Sequence, residues 1–195
     1  AIGAQFATKK LPTKKIIELI KSTEKTIVLL GGIEDLNAAR IITQACNNTI
    51  NLCGDLNLNQ SASIIQQSEK VISHDTGLMH IAAAVETPLL ALYGPTSPDL
   101  TPPLSTKAKV LRKNVGYDSK RIGTGREGYH PSLLDLTPDE VLHDLHKLIK
   151  LYVESCLLYT SDAADDSLRV DLGGRRIIKK HFGLCSRRAV IHDTW

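Results

Sequence analysis

The sequence predicts a doubly wound α/β domain built on a parallel sheet. Within residues 1–152, short apolar runs alternate with amphipathic stretches, which is the pattern of repeated strand-helix-strand units. Glycine or a short polar residue stands at each junction where an apolar run ends, as a chain leaving the carboxyl end of a buried strand requires.

The elements follow in order. The chain enters at Ala1 directly into what reads as a first strand, with Gly3-Ala4-Gln5 at its junction. Thr13–Ser22 puts Ile16, Ile17 and Ile20 on one helical face. Thr26-Ile27-Val28-Leu29-Leu30 is an apolar run stopped by Gly31-Gly32, and Asp35–Ala45 then directs Leu36, Ala39, Ile41 and Ile42 inward. Ile50-Asn51-Leu52-Cys53 is the next buried strand, followed by a helix over Asn59–Ser68 that offers Ala62, Ile64 and Ile65. Lys70-Val71-Ile72-Ser73 leads to Gly77–Val85, which is nearly all apolar and so predicted buried. Leu89–Tyr93 and Ala108–Leu111 complete the strands. A last helix over Thr137–Leu151 opens on Thr137-Pro138-Asp139-Glu140, with Thr at the cap, Pro at the first helical position and Glu three residues after the cap.

Composition narrows the function classes. The 195 residues carry 24 Lys+Arg against 21 Asp+Glu, a net charge of +3, with 42% apolar residues, typical of a soluble globular chain. So small and scattered an excess predicts no nucleic-acid partner. No apolar run approaches the roughly 18 residues that span a bilayer. Cys46, Cys53, Cys156 and Cys185 form no C-x-x-C pair, so reduced thiols and a cytoplasmic location are expected. The chain opens at Ala1 without a Met, and a signal peptide or a whole upstream domain is expected to have been lost.

Residues 1–152 hold 17 basic and 15 acidic side chains, interspersed, whereas Glu154–Asp171 has five acids and one Arg, and Leu172–His192 has six basic residues and no acid. That segregation is typical of tails. Ser155–Asp166 and Leu172–Lys180 resemble translated adapter or assembly-artefact sequence, so 153–195 is expected to be a non-native or disordered tail. The rival reading is a genuine basic arm for an anionic surface.

Ligands of open parallel sheets bind where strands feed into helices, because backbone N–H groups and helix N-termini converge there. The strongest such junction is Ser73-His74-Asp75-Thr76-Gly77-Leu78-Met79-His80. Free amides of Thr76, Gly77 and Leu78 at the helix start suit an anion, Gly77 admits close approach, and His80, one turn in, leans back towards the same place. Asp75 caps the helix or holds sugar hydroxyls. Lys9, on the loop after the first strand, is either a solvated ammonium or a phosphate contact. Glu34, just past Gly31-Gly32, is either a first-turn acid favoured by the helix dipole or an acceptor for ribose hydroxyls. Gly123-Thr124-Gly125-Arg126-Glu127-Gly128 matches G-x-G-x-x-G, but no strand runs into it and Pro131 is expected to stop a helix from opening there, so it reads as a loop whose neighbours Lys120 and Arg121 close over an anion at most. His143 and His146 lack the partners of a metal site and read as surface residues.

Taken together, these residues resemble the C-terminal half of the ADP-heptose:lipopolysaccharide heptosyltransferases, glycosyltransferase family nine, of GT-B fold. The resemblance runs through Gly3-Ala4, Thr8-Lys9-Lys10-Leu11-Pro12, Val28–Gly32 with Glu34, Asn51–Gly54, Asp75–Ala84, Thr87-Pro88 and Tyr93-Gly94-Pro95-Thr96. It implies a Rossmann-like domain that binds the ADP part of a sugar donor. Lys9 would lie at the phosphates, with Thr8 beside it in the donor site, Glu34 at the ribose, and Asp75, Thr76, Gly77 and His80 at the donor sugar and pyrophosphate. Where some members carry hydroxyl residues in the first loop, this chain has Ala4 and Gln5, leaving backbone amides to hold phosphate there.

The resemblance further implies an inverting transfer of heptose from ADP-heptose to a lipopolysaccharide core acceptor, with no cofactor and no metal. The general base would come from an N-terminal domain that this chain does not contain, so no catalytic residue is assigned here. The location implied is cytoplasmic, or peripheral on the inner face of the bacterial inner membrane. Two other functions stay open at this point: a nucleotide-binding module without catalysis, and a nucleotide-sugar epimerase of related architecture.

Overall fold

The computed structural model describes residues 1–113 and 128–148. All of them fall within Ala1–Leu157, the first of two units into which the chain divides. The expected boundary at 152, the tail after it, and Lys120, Arg121 and Arg126 lie outside the described residues.

Among the described residues there are five strands: β1 (Ile27–Leu29), β2 (Thr49–Asn51), β3 (Val71–His74), β4 (Leu89–Tyr93) and β5 (Ala108–Arg112). The helices are α1 (Thr13–Lys21), α2 (Leu36–Ala45), α3 (Leu58–Gln67), α4 (Gly77–Ala84), α5 (Pro131–Leu134) and α6 over 138–148. Single 3-10 turns, Ala7–Lys9 and Ile33–Asp35, lead towards α1 and α2. Every strand pairing is parallel: β1 with β2, and β3 with β4 and β4 with β5.

Residues 1–4 join these two sheets. They do not form the continuous ladder expected of a first strand, but the Ala1 amino group donates to Ile72 O at 2.7 Å and Ile2 N–H to Leu30 O at 2.8 Å. The order across the molecule is therefore β2, β1, residues 1–4, β3, β4, β5. Counting the extended segment first, that is the 3-2-1-4-5-6 order of doubly wound nucleotide-binding folds.

Alternation along β4 builds the core on both faces. Leu90 and Leu92 join Ile16, Leu19 and Ile20 of α1, Ala39 and Ile42 of α2, and Leu133, Leu136 and Val141 in one cluster. Leu89, Ala91 and Tyr93 join Ile65 of α3 and Met79, Ala82 and Ala83 of α4 in the other. A strand buried on both faces is a continuous apolar run, which is how Leu89–Tyr93 reads.

Several expectations need correction. Ile41 is 54% exposed, because it lies about 100° round α2 from the fully buried Ile42. Ile50 is 49% exposed, because β2 is the outer strand of its pair. Only one face of α4 is buried, through Met79, Ala82 and Ala83, while Gly77, His80 and Ala84 are exposed. Pro131 does not stop a helix: it begins α5, with the His130 side chain accepting from Ser132 N–H, since proline suits the first helical position.

Candidate functional site

Chain order reverses direction across the sheet between residues 1–4 and β3, the place where a crevice opens in such folds. The loop after residues 1–4 carries Thr8, Lys9 and Lys10. The loop after β3 carries Asp75, Thr76 and the start of α4. Closure of the fold brings the two together: Lys9 Nζ lies 2.5 Å from Asp75 Oδ2 and donates to Asp75 O at 3.3 Å.

Asp75 is held from a third element as well. Thr96 Oγ1, after β4, donates to Oδ2 at 2.7 Å, and Thr101 Oγ1 donates to Oδ1 at 3.3 Å. Burial pushes the Asp75 carboxyl pKa up, but the hydrogen bonds from Lys9, Thr96 and Thr101 and the Lys9 charge outweigh it, holding the group below its ordinary range. Asp75 is thus an ionised, acceptor-only group. It does not cap α4; the cap residue is Thr76, which makes no side-chain cap bond.

The start of α4 is open. A Cβ placed on Gly77 would meet nothing within 4 Å, and Thr76 Oγ1 is buried with no hydrogen-bond partner. An unpaired buried hydroxyl beside free helix amides is a group waiting for an acceptor. His80 is exposed on the same helix. Thr8 is buried, and its carbonyl is packed so closely on Gly94 that a Cβ there would lie 2.8 Å away.

Glu34 stands apart from the Lys9–Asp75 pair, on the turn after β1. It is exposed, with its carboxylate folded over Gly32. Its neighbour Asp35 does what the sequence did not indicate: only 2% exposed, it pairs with Lys10 Nζ at 2.6 Å and accepts from Gly32 N–H at 3.0 Å. Gly3 and Gly31 leave room for it, since a Cβ on either would collide with Asp35 Oδ2.

His74 is the other overlooked group. It is buried at the end of β3, and its Nε2 accepts from Leu11 N–H at 2.8 Å. Burial first, then the positive charges of the Ala1 amino group and of Lys10, push its pKa down to about 3. The ring is neutral and ties the Lys9 loop to β3. In the sequence Thr96 stood out only within the Tyr93-Gly94-Pro95-Thr96 stretch, and no signal marked Thr101. His143 and His146 are exposed, and among the described residues no group of three His, Cys, Asp or Glu is placed to hold a metal.

Residues 1–129 match the family model described as glycosyltransferase family 9 (heptosyltransferase). The chain is 42% identical over 156 residues to lipopolysaccharide heptosyltransferase 2 of Salmonella typhimurium, covering 75% of this chain and 45% of that protein. A solved structure of E. coli ADP-heptose lps heptosyltransferase II is 38% identical with a TM-score of 0.65, over 77% of this chain and 45% of that one. A family 9 glycosyl transferase from Veillonella parvula is 25% identical with a TM-score of 0.64, over 76% and 44% respectively. The chain thus spans somewhat less than half the length of the relatives it matches.

Proposed function

Because the chain belongs to glycosyltransferase family 9, we propose that residues 1–152 are the donor-binding half of an inverting heptosyltransferase, which holds ADP-heptose while the heptose passes to a lipopolysaccharide core acceptor. The observation that carries this reading is the Lys9–Asp75 pair set beside the open N-terminus of α4, with Thr76 Oγ1 unpaired and clear space over Gly77. The relatives named above support the donor and the acceptor. All of them are glycosyltransferases, which weighs against an epimerase.

The chemistry follows from charge. As the anomeric C–O bond breaks, negative charge grows on the departing diphosphate. Lys9, the amides of Thr76 and Gly77 and the His80 ring are the donors that stabilise it, and donors fixed in advance favour the transition state over the ground state. Two of the three Lys9 N–H groups are engaged by Asp75, leaving one for phosphate. Glu34 serves the ribose hydroxyls, and Thr8 shapes the phosphate loop. Asp75 Oδ1, which takes only the long bond from Thr101, keeps acceptor capacity for a sugar hydroxyl. The acceptor's general base belongs to an N-terminal domain absent from these residues, and neither metal nor cofactor has a part in the scheme. Among the described residues no helix is long and apolar enough to cross a membrane; we place the enzyme in the cytoplasm or on the inner face of the inner membrane.

Calorimetry with ADP tests the donor site. The chain should bind ADP with millimolar to micromolar affinity, and Lys9→Ala or His80→Ala should weaken it by roughly 1–3 kcal/mol, the range for charge-assisted hydrogen bonds. Folded protein that binds no ADP would overturn the assignment. Heptosyl transfer by this chain alone would overturn the placing of the base elsewhere.

A further inference from the structure

We propose that Thr96 and Thr101 are positioning residues that fix the Asp75 carboxylate against Lys9, with the Tyr93 hydroxyl anchoring Thr101 in turn. This rests on the reading of Lys9 and Asp75 as part of the donor site.

A carboxylate bonded at one oxygen still turns about its last torsion. Here Lys9 and Thr96 both donate to Oδ2, at 2.5 and 2.7 Å, while Thr101 donates to Oδ1 from the other side of the group. Bonds to both oxygens fix the plane of the carboxylate, and with it the place of the Lys9 ammonium. A lysine side chain otherwise keeps many rotamers open, so a fixed partner is what makes Lys9 a defined phosphate contact. Each threonine hydroxyl has one hydrogen and spends it on Asp75, which favours the ionised carboxylate only.

The loop after β4 is itself held in place. Tyr93 is fully buried; its hydroxyl donates to Thr101 O and touches Met79 Sδ of α4 at 3.4 Å. Burial above all pushes the Tyr93 pKa up to about 12, so the hydroxyl keeps its proton at neutral pH. Between these anchors, Leu100 N–H donates to Ser97 O at 3.2 Å and Asp99 N–H to Ser97 Oγ at 3.1 Å. Thr101 therefore reaches Asp75 from a braced loop. Among the described residues, the charged and titratable groups that act on or feel Asp75 are Lys9 from the first loop and Tyr93 from β4.

NMR titration of the Asp75 side-chain carboxyl in the whole chain decides the matter, with ADP affinity measured in parallel. Thr96→Val should move the Asp75 midpoint to higher pH while the rest of the spectrum is retained, and Thr96→Ser should bring it back. Thr101→Val and Tyr93→Phe should shift it less, in the same direction. Folded Thr96→Val and Thr101→Val proteins in which Asp75 titrates as in the parent would overturn the proposal. Should Thr96→Val fail to fold, the exposed Thr101 site decides alone. A parent chain that binds no ADP overturns the donor-site reading, and the titration still decides whether the threonines hold Asp75.

Discussion

His74 shows how one side chain acquires a role from its surroundings. A histidine buried as the neutral ring, with its pKa down to about 3, binds fewer protons folded than unfolded, where the value is near 6.5. Its contribution to stability is complete above about pH 6.5 and falls away as pH drops towards 3, at up to roughly 1.4 kcal/mol per pH unit. Asp75, held below its ordinary range, acts in the same direction at lower pH. Urea unfolding at pH 7, 6 and 5 should show the midpoint falling with pH in the parent and falling less in His74→Gln, which keeps an acceptor for Leu11 N–H. Equal slopes would show that His74 is charged when folded. The sequence placed His74 beside a candidate ligand site, but its partner stands 63 residues away, and no local pattern encodes that. Separation along the chain also hid the Thr101–Asp75 and Lys10–Asp35 contacts, 26 and 25 residues apart, whereas Lys9 and Asp75 were legible because each sits at a strand-to-helix junction.

At the scale of elements, the helix starts were the most readable features because their chemistry is local. Thr137 N–H donates to Glu140 Oε2 at 2.9 Å and Glu140 N–H to Thr137 Oγ1 at 3.3 Å, the reciprocal cap read from Thr-x-x-Glu. The equivalent box at α3, Asn57 with Gln60 at 2.9 Å in both directions, was equally present as Asn-x-x-Gln, and it moves the helix start to Leu58. Asn57→Ala should cost about 1 kcal/mol of stability, measured by thermal or urea unfolding, with Asn57→Asp close to neutral. A loss under about 0.3 kcal/mol would mean that tertiary contacts alone hold the start of α3. Edge position was not readable: Ile50 and Leu29 are alike as sequence, yet strand order leaves one half exposed and the other 2% exposed.

At the scale of the molecule, the fold class was legible from alternating periodicity, and the strand order was not, because order depends on which distant segments pair. Residues 1–4 illustrate it. As a sequence they are four apolar residues; in the fold they lie between β1 and β3. Ile2→Pro removes the N–H that reaches Leu30 O and sets a proline in the middle of a sheet. Stability should fall by roughly 1–3 kcal/mol, the cost of orphaning a buried acceptor, with hydrogen exchange speeding up at the ends of β1 and β3 first. Uniform exchange across the sheet would show that residues 1–4 are not its central join.

That join has a consequence for how the protein is made. Within this unit residues 1–4 emerge from the ribosome ahead of the strands they join, and the hydrogen-bond partner of Ala1 follows 71 positions later. β1, β2, α1 and α2 can gather as soon as they have emerged, but the central gap stays open until β3 has followed. Contacts of such sequence separation form late and slowly. The Lys9–Asp75 crevice, which lies across that gap, is therefore among the last parts of this unit to take shape on the ribosome.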